Sequence, residues 1–405
     1  MELDVFSQSP TGHLTPIAGT DRRTGRPFRH MAYIPRPLDS AVNLQQATWQ
    51  AVARANLALG RLDQASLQVP NPALLRRPTL RREAQSTSAL EGTFAPLERV
   101  LSEVDEADET GPMGTALVEV LNYVYAAEHA FEQIEDGHAI TVSLLEEAQR
   151  LLVLGTASER RDPGRLRTVQ VAIANGDASI ESARFIPMPP GIELRAAVQD
   201  LMDWVQDGTE RDPVISAAMA HYQFETLHPF SDGNGRIGRM LIVLQLITDR
   251  ALQQPLLSVS PWFEANRDEY LEGLYNVSAK GEWDQWIRFF SSGLEAAAED
   301  TRFRVEDLLE LQGAFLDQVQ TQLPRSGLAR DIAGSLIGYP CFTVPSLSKR
   351  LNKATPQGVA NAVNQLVEIG LLEKLTGKYR HQYQASAVME VLTRTGDWEL
   401  RSGRR

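Results

Sequence analysis

The chain has 405 residues, 43% of them hydrophobic and 23% charged, with a formal net charge of -12 and one cysteine, Cys341. That length predicts two or three domains with real cores. The acidic balance argues against a nucleic-acid coat or a membrane-surface binder, and one cysteine excludes an intrachain disulfide or a cysteine-based zinc site. The first 20 residues lack the basic-then-apolar layout of a signal peptide. No apolar run approaches the ~18 residues that span a bilayer, so no membrane role and a cytoplasmic location are expected.

Residues 1–40 are rich in Pro, Gly, Ser and Arg and read as an extended arm. Apolar residues at helical spacing predict a helix from Asn43 to Leu62, a second from Leu80 to Leu90 closed by Gly92, and a third from Pro96 to about Val104. The middle of the chain reads as helix after helix: Thr115–Gly137, Thr141–Leu154, Glu193–Gln206, Val214–Leu227, Gly235–Asp249, Asn266–Ser278 and Trp283–Leu311. Strand-like text is scarce; the best candidate is Thr168–Ile173, a turn at Asn175-Gly176-Asp177, then Arg184–Ile186. After a joint near Gln322–Gly338 come a short helix Val344–Leu351, a tight turn, and a helix Pro356–Ile369 with Thr355 as N-cap and Gly370 as C-cap. Strand-like Leu371–Leu375 and Tyr379–Gln384 complete the plan of a winged helix-turn-helix. From 331 onward ten basic residues face six acidic ones, so the tail is the basic part of an acidic protein.

The segment His228-Pro229-Phe230-Ser231-Asp232-Gly233-Asn234-Gly235-Arg236-Ile237-Gly238-Arg239 carries the chemistry. It reads as a helix end, a tight polar loop and the start of an apolar helix. Gly233, Asn234 and Gly235 tolerate positive φ, so successive N–H groups can point into one concavity at a helix N-terminus, where the dipole favours anions. Arg236 and Arg239 lie three apart on the new helix and can face the same anion. Asp232 can hold Mg²⁺ against phosphate oxygens, and His228 is a candidate general base. Each part alone is ordinarily structural; together within twelve residues they predict a phosphoryl- or nucleotidyl-transfer site. No Gly-x-x-x-x-Gly-Lys-[Ser/Thr] occurs, which speaks against P-loop chemistry. His221 and Glu225 lack zincin spacing and are expected to be helix-packing polar residues.

This segment resembles the signature of the Fic (filamentation induced by cAMP) family, H-[PF]-F-x-[DE]-G-N-G-R-x-x-R, at every position. The flanking Ala220–Leu227 and Phe263–Tyr270 also look like that family, and the likeness extends over roughly 40–395. It implies a mainly α fold: a Fic-type helical core over 111–322 with a small flap hairpin, preceded by a helical region over 41–110. A winged-helix domain over 323–395 and a tail over 396–405 complete the division. The usual reaction is transfer of AMP from ATP to a Ser, Thr or Tyr hydroxyl of a protein, with Mg²⁺. By the resemblance His228 deprotonates the hydroxyl and Asp232 holds Mg²⁺. Gly233, Asn234, Gly235 and Arg236 stabilise the anion, and Arg239 grips the γ-phosphate. Doc-type kinase relatives carry Lys where Gly235 stands, so AMP transfer is favoured over phosphorylation.

Thr87-Ser88-Ala89-Leu90-Glu91-Gly92 matches the family's inhibitory motif [ST]-x-x-x-E-[GN]. An acid in the last turn of a helix opposes the dipole by ~0.3–1 kcal/mol, which suits a surface residue or one with a distant cationic partner. The resemblance implies the latter, Glu91 pairing with Arg239 to restrain transfer, with Thr87 part of the motif. Segment 168–186 is the implied flap, where a protein substrate docks by strand pairing. Relatives often read R-x-x-Q-N-W-I-G-G there; this chain has Arg167-Thr168-Val169-Gln170-Val171-Ala172-Ile173-Ala174-Asn175, which puts target identity in question more than chemistry. Self-AMPylation and a homodimer are further expectations from the family. In the tail Gln357, Asn361, Asn364 and Gln365 are candidates for base edges, and Lys349, Arg350, Lys353, Lys374, Lys378 and Arg380 for phosphates. Two other readings stay open: a DNA-binding regulator whose core senses nucleotide, and an enzyme that removes AMP from proteins.

Overall fold

The computed structural model describes all residues except 22–24, 40–41, 68–70, 103–111, 174–179, 209–210, 352–354, 377–380 and 395–405. It is mostly helical, with two small antiparallel sheets. A short helix α1 (Leu3–Phe6) precedes strands β1 (Gly12–Thr20) and β2 (Pro27–Pro35). Helices α2 (Gln46–Leu67), α3 (Ala73–Leu90), α4 (Leu97–Leu101) and α5 (Pro112–Glu135) follow. The central helices are α6 (Val142–Val153), α7 (Ile192–Gln206), α8 (Pro213–Leu227), α9 (Asn234–Thr248), α10 (Ser260–Ala265) and α11 (Arg267–Lys280), then the 40-residue α12 (Trp283–Gln322). The last stretch holds α13 (Gly327–Ser335), β3 (Cys341–Thr343), α14 (Val344–Leu351), α15 (Pro356–Glu368), β4 (Glu373–Thr376), β5 (His381–Gln384) and α16 (Ser386–Thr393). No helix among the described residues is long and apolar enough to cross a membrane.

The chain divides into two compact units. Unit 1 gathers Met1–Gly60, Asn122–Pro255 and Trp262–Ala296; unit 2 gathers Arg61–Leu121, Leu256–Pro261 and Ala297–Arg405.

In unit 1 the arm expected over 1–40 is instead a helix and a hairpin, with β1 and β2 paired from Gly12↔Pro35 to Thr20↔Pro27. Phe6, Tyr33 and Phe185 bury one side of it, with Phe6 and Tyr33 edge to face at 5.3 Å. Tyr33 N–H donates to Ile186 O at 2.9 Å, so the hairpin continues into the segment expected to be the flap. That segment pairs more briefly than its sequence suggests. Ile173 and Phe185 exchange both backbone bonds, at 2.8 and 3.0 Å, and the Asn175-Gly176-Asp177 turn lies outside the described residues. α8 begins where Asp212 accepts from Val214 N (2.9 Å) and Ile215 N (3.2 Å) with Pro213 in the first turn.

In unit 2, α3 starts seven residues earlier than Leu80 and runs through Pro78, which the sequence presents as a breaker. Tertiary anchoring accounts for this: Leu75 is fully buried in the unit's apolar core, and two consecutive charged residues are buried with partners. Arg82 meets Asp300 at 2.8 Å, and Glu83 accepts from Ser258 Oγ at 3.0 Å, from Ser260 N at 2.9 Å and from the Ser260 hydroxyl. Asp300 is shared with Arg304 at 3.0 Å, and Arg304 also donates to Leu392 O, Arg394 O and Val391 O at the end of α16. Burial alone would raise the Asp300 carboxyl, but Arg82 and Arg304 hold it below the ordinary carboxylate value.

The C-terminal sheet has the order β3-β5-β4, all antiparallel. Thr355 caps α15 by accepting from Gly358 N at 3.2 Å, with Pro356 in the first turn. Several polar residues expected to meet DNA have partners within the protein. The Gln357 amide donates to Asn361 Oδ1 at 3.0 Å, and Gln365 Oε1 accepts from Ser326 Oγ at 2.9 Å. The Arg350 guanidinium lies 3.6 Å from the centre of the Tyr339 ring, which Arg77 also approaches at 4.5 Å. Lys353, Lys378 and Arg380 lie outside the described residues.

Replacing Asp300 by Ala leaves Arg82 and Arg304 buried without their carboxylate. Urea melts should show a loss of about 3–5 kcal/mol; a loss under about 1 kcal/mol would show that the pair is not stabilising unit 2.

Candidate active site

The motif residues sit where two buried helices of unit 1 meet. α8 ends at His228, whose backbone takes the left-handed conformation (φ 49°, ψ 59°). For a non-glycine residue this costs roughly 1–3 kcal/mol, so surrounding structure must hold it. Arg167 does so: its Nε donates to His228 O at 2.8 Å, and its backbone N–H donates to Pro229 O at 2.9 Å. The half-buried imidazole has Nδ1 3.3 Å from Glu225 O. With the proton on Nδ1 for that bond, the lone pair falls on Nε2.

Five residues later the chain enters α9. Gly233 is in the left-handed region (φ 84°) and packs so tightly that a Cβ would lie 2.6 Å from Leu152 of α6. Asn234 clamps the loop from inside: its Oδ1 accepts from Phe230 N at 2.8 Å and its Nδ2 donates to Phe230 O at 2.9 Å. Its side chain is therefore spent on loop geometry, and what remains for an anion is backbone. The first intrahelical bond is Ile237 N to Gly233 O at 3.0 Å. Hence the first turn of α9, Asn234 to Arg236, is the positive end of the helix dipole.

Asp232 stands beside this helix start with its side chain 38% exposed. Its Oδ1 accepts from Gly233 N at 2.6 Å and lies 3.5 Å from the Arg236 guanidinium, and its Oδ2 accepts from the Ser158 hydroxyl. Gln149 braces the loop, donating to Asp232 O at 3.2 Å while accepting from Gly164 N at 2.6 Å. Arg236 and Arg239 are both buried, at 5% and 2% exposure. Among the described residues no three His, Cys, Asp or Glu side chains cluster as a metal cage. A single carboxylate at a helix N-terminus suits an ion held mainly by phosphate oxygens and water.

The structure thus brings His228, Asp232, Gly233, Asn234, Gly235, Arg236 and Arg239 together within one turn-and-helix of unit 1. Thr87 and Glu91 belong to unit 2: Thr87 is fully buried in the last turn of α3, and Glu91 is the C-cap, followed by Gly92 at φ 86°. Sequence reasoning missed Arg167, Ser158 and Gln149 as parts of the site. Two of them act through backbone carbonyls, and no spacing rule reports such contacts.

His221 is a packing residue, as its spacing suggests. Its Nδ1 lies 3.0 Å from Gly238 O and its Nε2 2.8 Å from the Tyr270 hydroxyl, beside Phe263 and Trp286. It fixes α9 one residue before Arg239, where a Cβ on Gly238 would fall 2.3 Å from Glu225 Oε1 and 3.1 Å from the Phe224 ring. A groove of about 570 Å³ opens beside the flap segment, lined by Ile17, Phe28, Val169, Gln170, Ala172 and Pro189.

Residues 49–132 match the profile of the Fic/DOC family N-terminal region, and residues 139–246 match that of the Fic/DOC family. The protein adenylyltransferase fic-1 of Caenorhabditis elegans is 33% identical over 149 residues, 36% of this chain and 26% of its own length. Its counterpart in Caenorhabditis briggsae is 31% identical over 167 residues, 41% and 29% of the two lengths. The chain therefore spans less than a third of these curated relatives. A Fic family protein from Desulfovibrio desulfuricans has the same fold (TM-score 0.55, 21% identity), covering 86% of this chain and 98% of that one.

Burial pushes the His221 imidazole from 6.5 down to about 3. The unfolded chain therefore takes up a proton between those values that the native site refuses. Stability from this group is complete above about pH 6.5 and falls as pH drops toward 3. Asp249 acts oppositely, because burial raises its carboxyl to about 6 and the native state then binds the proton first. The effect is best isolated by comparing wild type with His221→Gln. The stability gap between them should narrow by about 2 kcal/mol from pH 7 to pH 5 in urea melts. A constant gap would show that His221 does not titrate this way.

Proposed function

The chain belongs to the Fic/DOC family over residues 49–132 and 139–246, and from that premise we propose that it transfers AMP from ATP to hydroxyl side chains of proteins. The observation that carries this reading is the join of α8 to α9. Within twelve residues it sets an imidazole whose Nδ1 lies against Glu225 O, a half-exposed carboxylate, and a helix N-terminus flanked by two buried arginines.

His228 Nε2 takes the proton of the incoming hydroxyl as its oxygen bonds to the α-phosphorus. The bond from that phosphorus to the bridging oxygen breaks, and diphosphate leaves. The N–H groups of Asn234, Gly235 and Arg236, with the Arg236 guanidinium, meet the charge that builds on the phosphate oxygens; Arg239 grips the terminal phosphate. Asp232 would hold Mg²⁺, which neutralises phosphate charge when bound. Ser158 and the Gly233 N–H keep that carboxylate aimed. A target segment would lie along the groove beside the flap. Glu91, the C-cap of α3, is the residue we assign to restraint of transfer.

Purified wild type, His228→Ala and Glu91→Gly, incubated with α- or γ-labelled ATP and candidate targets, test these assignments. Label from the α-phosphate should appear on protein, fall by roughly 10²–10⁴-fold in His228→Ala, and rise on the order of 5–150-fold in Glu91→Gly. Label from the γ-phosphate alone would make the protein a kinase. Loss of AMP from a pre-labelled target, with no labelling, would make it a de-AMPylating enzyme. An unchanged Glu91→Gly rate would refute the restraint.

A further inference from the structure

Arg167 is 2% exposed, yet among the described residues its partners are carbonyl oxygens and no carboxylate. Burial lowers its pKa to about 10, so it stays charged at neutral pH. A buried cation without an anion is costly, and oriented backbone dipoles are what remains to offset it. Five contacts radiate from this residue to two groups of carbonyls. Toward the motif loop, Nε reaches His228 O (2.8 Å), Nη2 reaches Leu227 O (3.4 Å), and the backbone N–H reaches Pro229 O (2.9 Å). Toward the flap segment, Nη1 reaches Val169 O (3.2 Å) and Nη2 reaches Met188 O (2.5 Å).

Met188 follows the strand that pairs with Tyr33, and Val169 leads to Ile173, which pairs with Phe185. One planar group therefore spans both sides of the flap base and the left-handed residue that carries the imidazole. The guanidinium is rigid, so its forks fix these carbonyls relative to one another. A lysine has a single nitrogen and cannot hold both groups.

We propose that Arg167 is a positioning residue for the reaction, coupling the flap on which a target lies to the orientation of His228. This rests on the reading of His228 as the base. The target hydroxyl and the base that deprotonates it are then set in register by one side chain, and neither can shift without the other. Misplacement of a reacting group by about 1 Å costs on the order of 100-fold in rate. Nucleotide binding, by contrast, depends on the α9 N-terminus, which Arg167 does not touch.

Arg167→Lys keeps the charge and tests the fork. Hydrogen exchange of the nucleotide-free variant should rise about tenfold together in 168–173, 185–188 and 228–233, with α9 beyond Ile237 unchanged. Turnover of AMP transfer should fall about 100-fold while the KM for ATP stays within about twofold. Loosening of the flap or the motif loop alone, or a raised KM with turnover intact, would overturn the proposal. Should the variant not fold, native-state exchange of the unmodified protein in mild urea decides: the amides of Arg167, Ile173 and His228 should share one opening free energy, and separate values would sink the coupling. If wild type transfers no AMP to any protein, the proposed function fails, whereas the exchange readout still decides whether Arg167 couples flap and loop.

Discussion

The chain reverses between two buried helices in six residues, 228–233, and the rest of unit 1 is arranged around that reversal. α8 and α9 approach closely enough that Gly238 has no room for a Cβ, so the connecting loop cannot relax by spreading the helices. It must turn through one left-handed histidine and one left-handed glycine and find partners for its polar groups at short range. Asn234 satisfies Phe230, Gln149 meets Asp232 O, Ser158 meets the Asp232 carboxylate, and Arg167 takes the outgoing carbonyls. Beside that turn lies the first turn of α9, itself buried, whose N–H groups the helix cannot bond one turn back. On the function proposed above, the anion-binding concavity is thus a consequence of packing two helices this tightly.

This explains which parts of the site could be read from the chain. His228, Asp232 and Gly233 are local: their placement follows from a helix end, a helix start and spacing, which sequence displays, whereas the positive φ expected along Gly233-Asn234-Gly235 occurs at Gly233 alone, Asn234 and Gly235 being helical. Likewise Asp212-Pro213 and Thr355-Pro356 announce α8 and α15 within a residue. Arg167 is the opposite case. It stands 61 residues from His228 and meets its carbonyl, and a carbonyl is the same whatever side chain it bears. Ser158 lies 74 residues from Asp232 and reads as an ordinary loop serine.

The N-terminal hairpin escaped for a different reason. β1 contains Pro16, and its outward-facing side is mostly polar or small, so alternation is faint. Its stability comes from partners far along the chain, Phe185 and Ala279 around Phe6 and Tyr33. α3 likewise extends through Pro78, where propensity predicts a stop, because tertiary contacts on both sides of the proline outweigh about 3 kcal/mol of local cost.

That anchoring bears on how restraint by Glu91 would be relieved. α3 buries Arg82 and Glu83 on adjacent positions, Arg82 against Asp300 and Glu83 against Ser258 and Ser260, and Asp300 ties Arg82 to Arg304 and the end of α16. Lifting the whole helix would strip partners from an anion and a cation at once, at several kcal/mol each. In its last turn Glu91 N–H bonds Ser88 O and Thr93 N–H returns to the same carbonyl, and Thr87, Ser88, Ala89 and Leu90 are buried. On the reading that Glu91 restrains transfer, relief would therefore leave Arg82 and Glu83 in place.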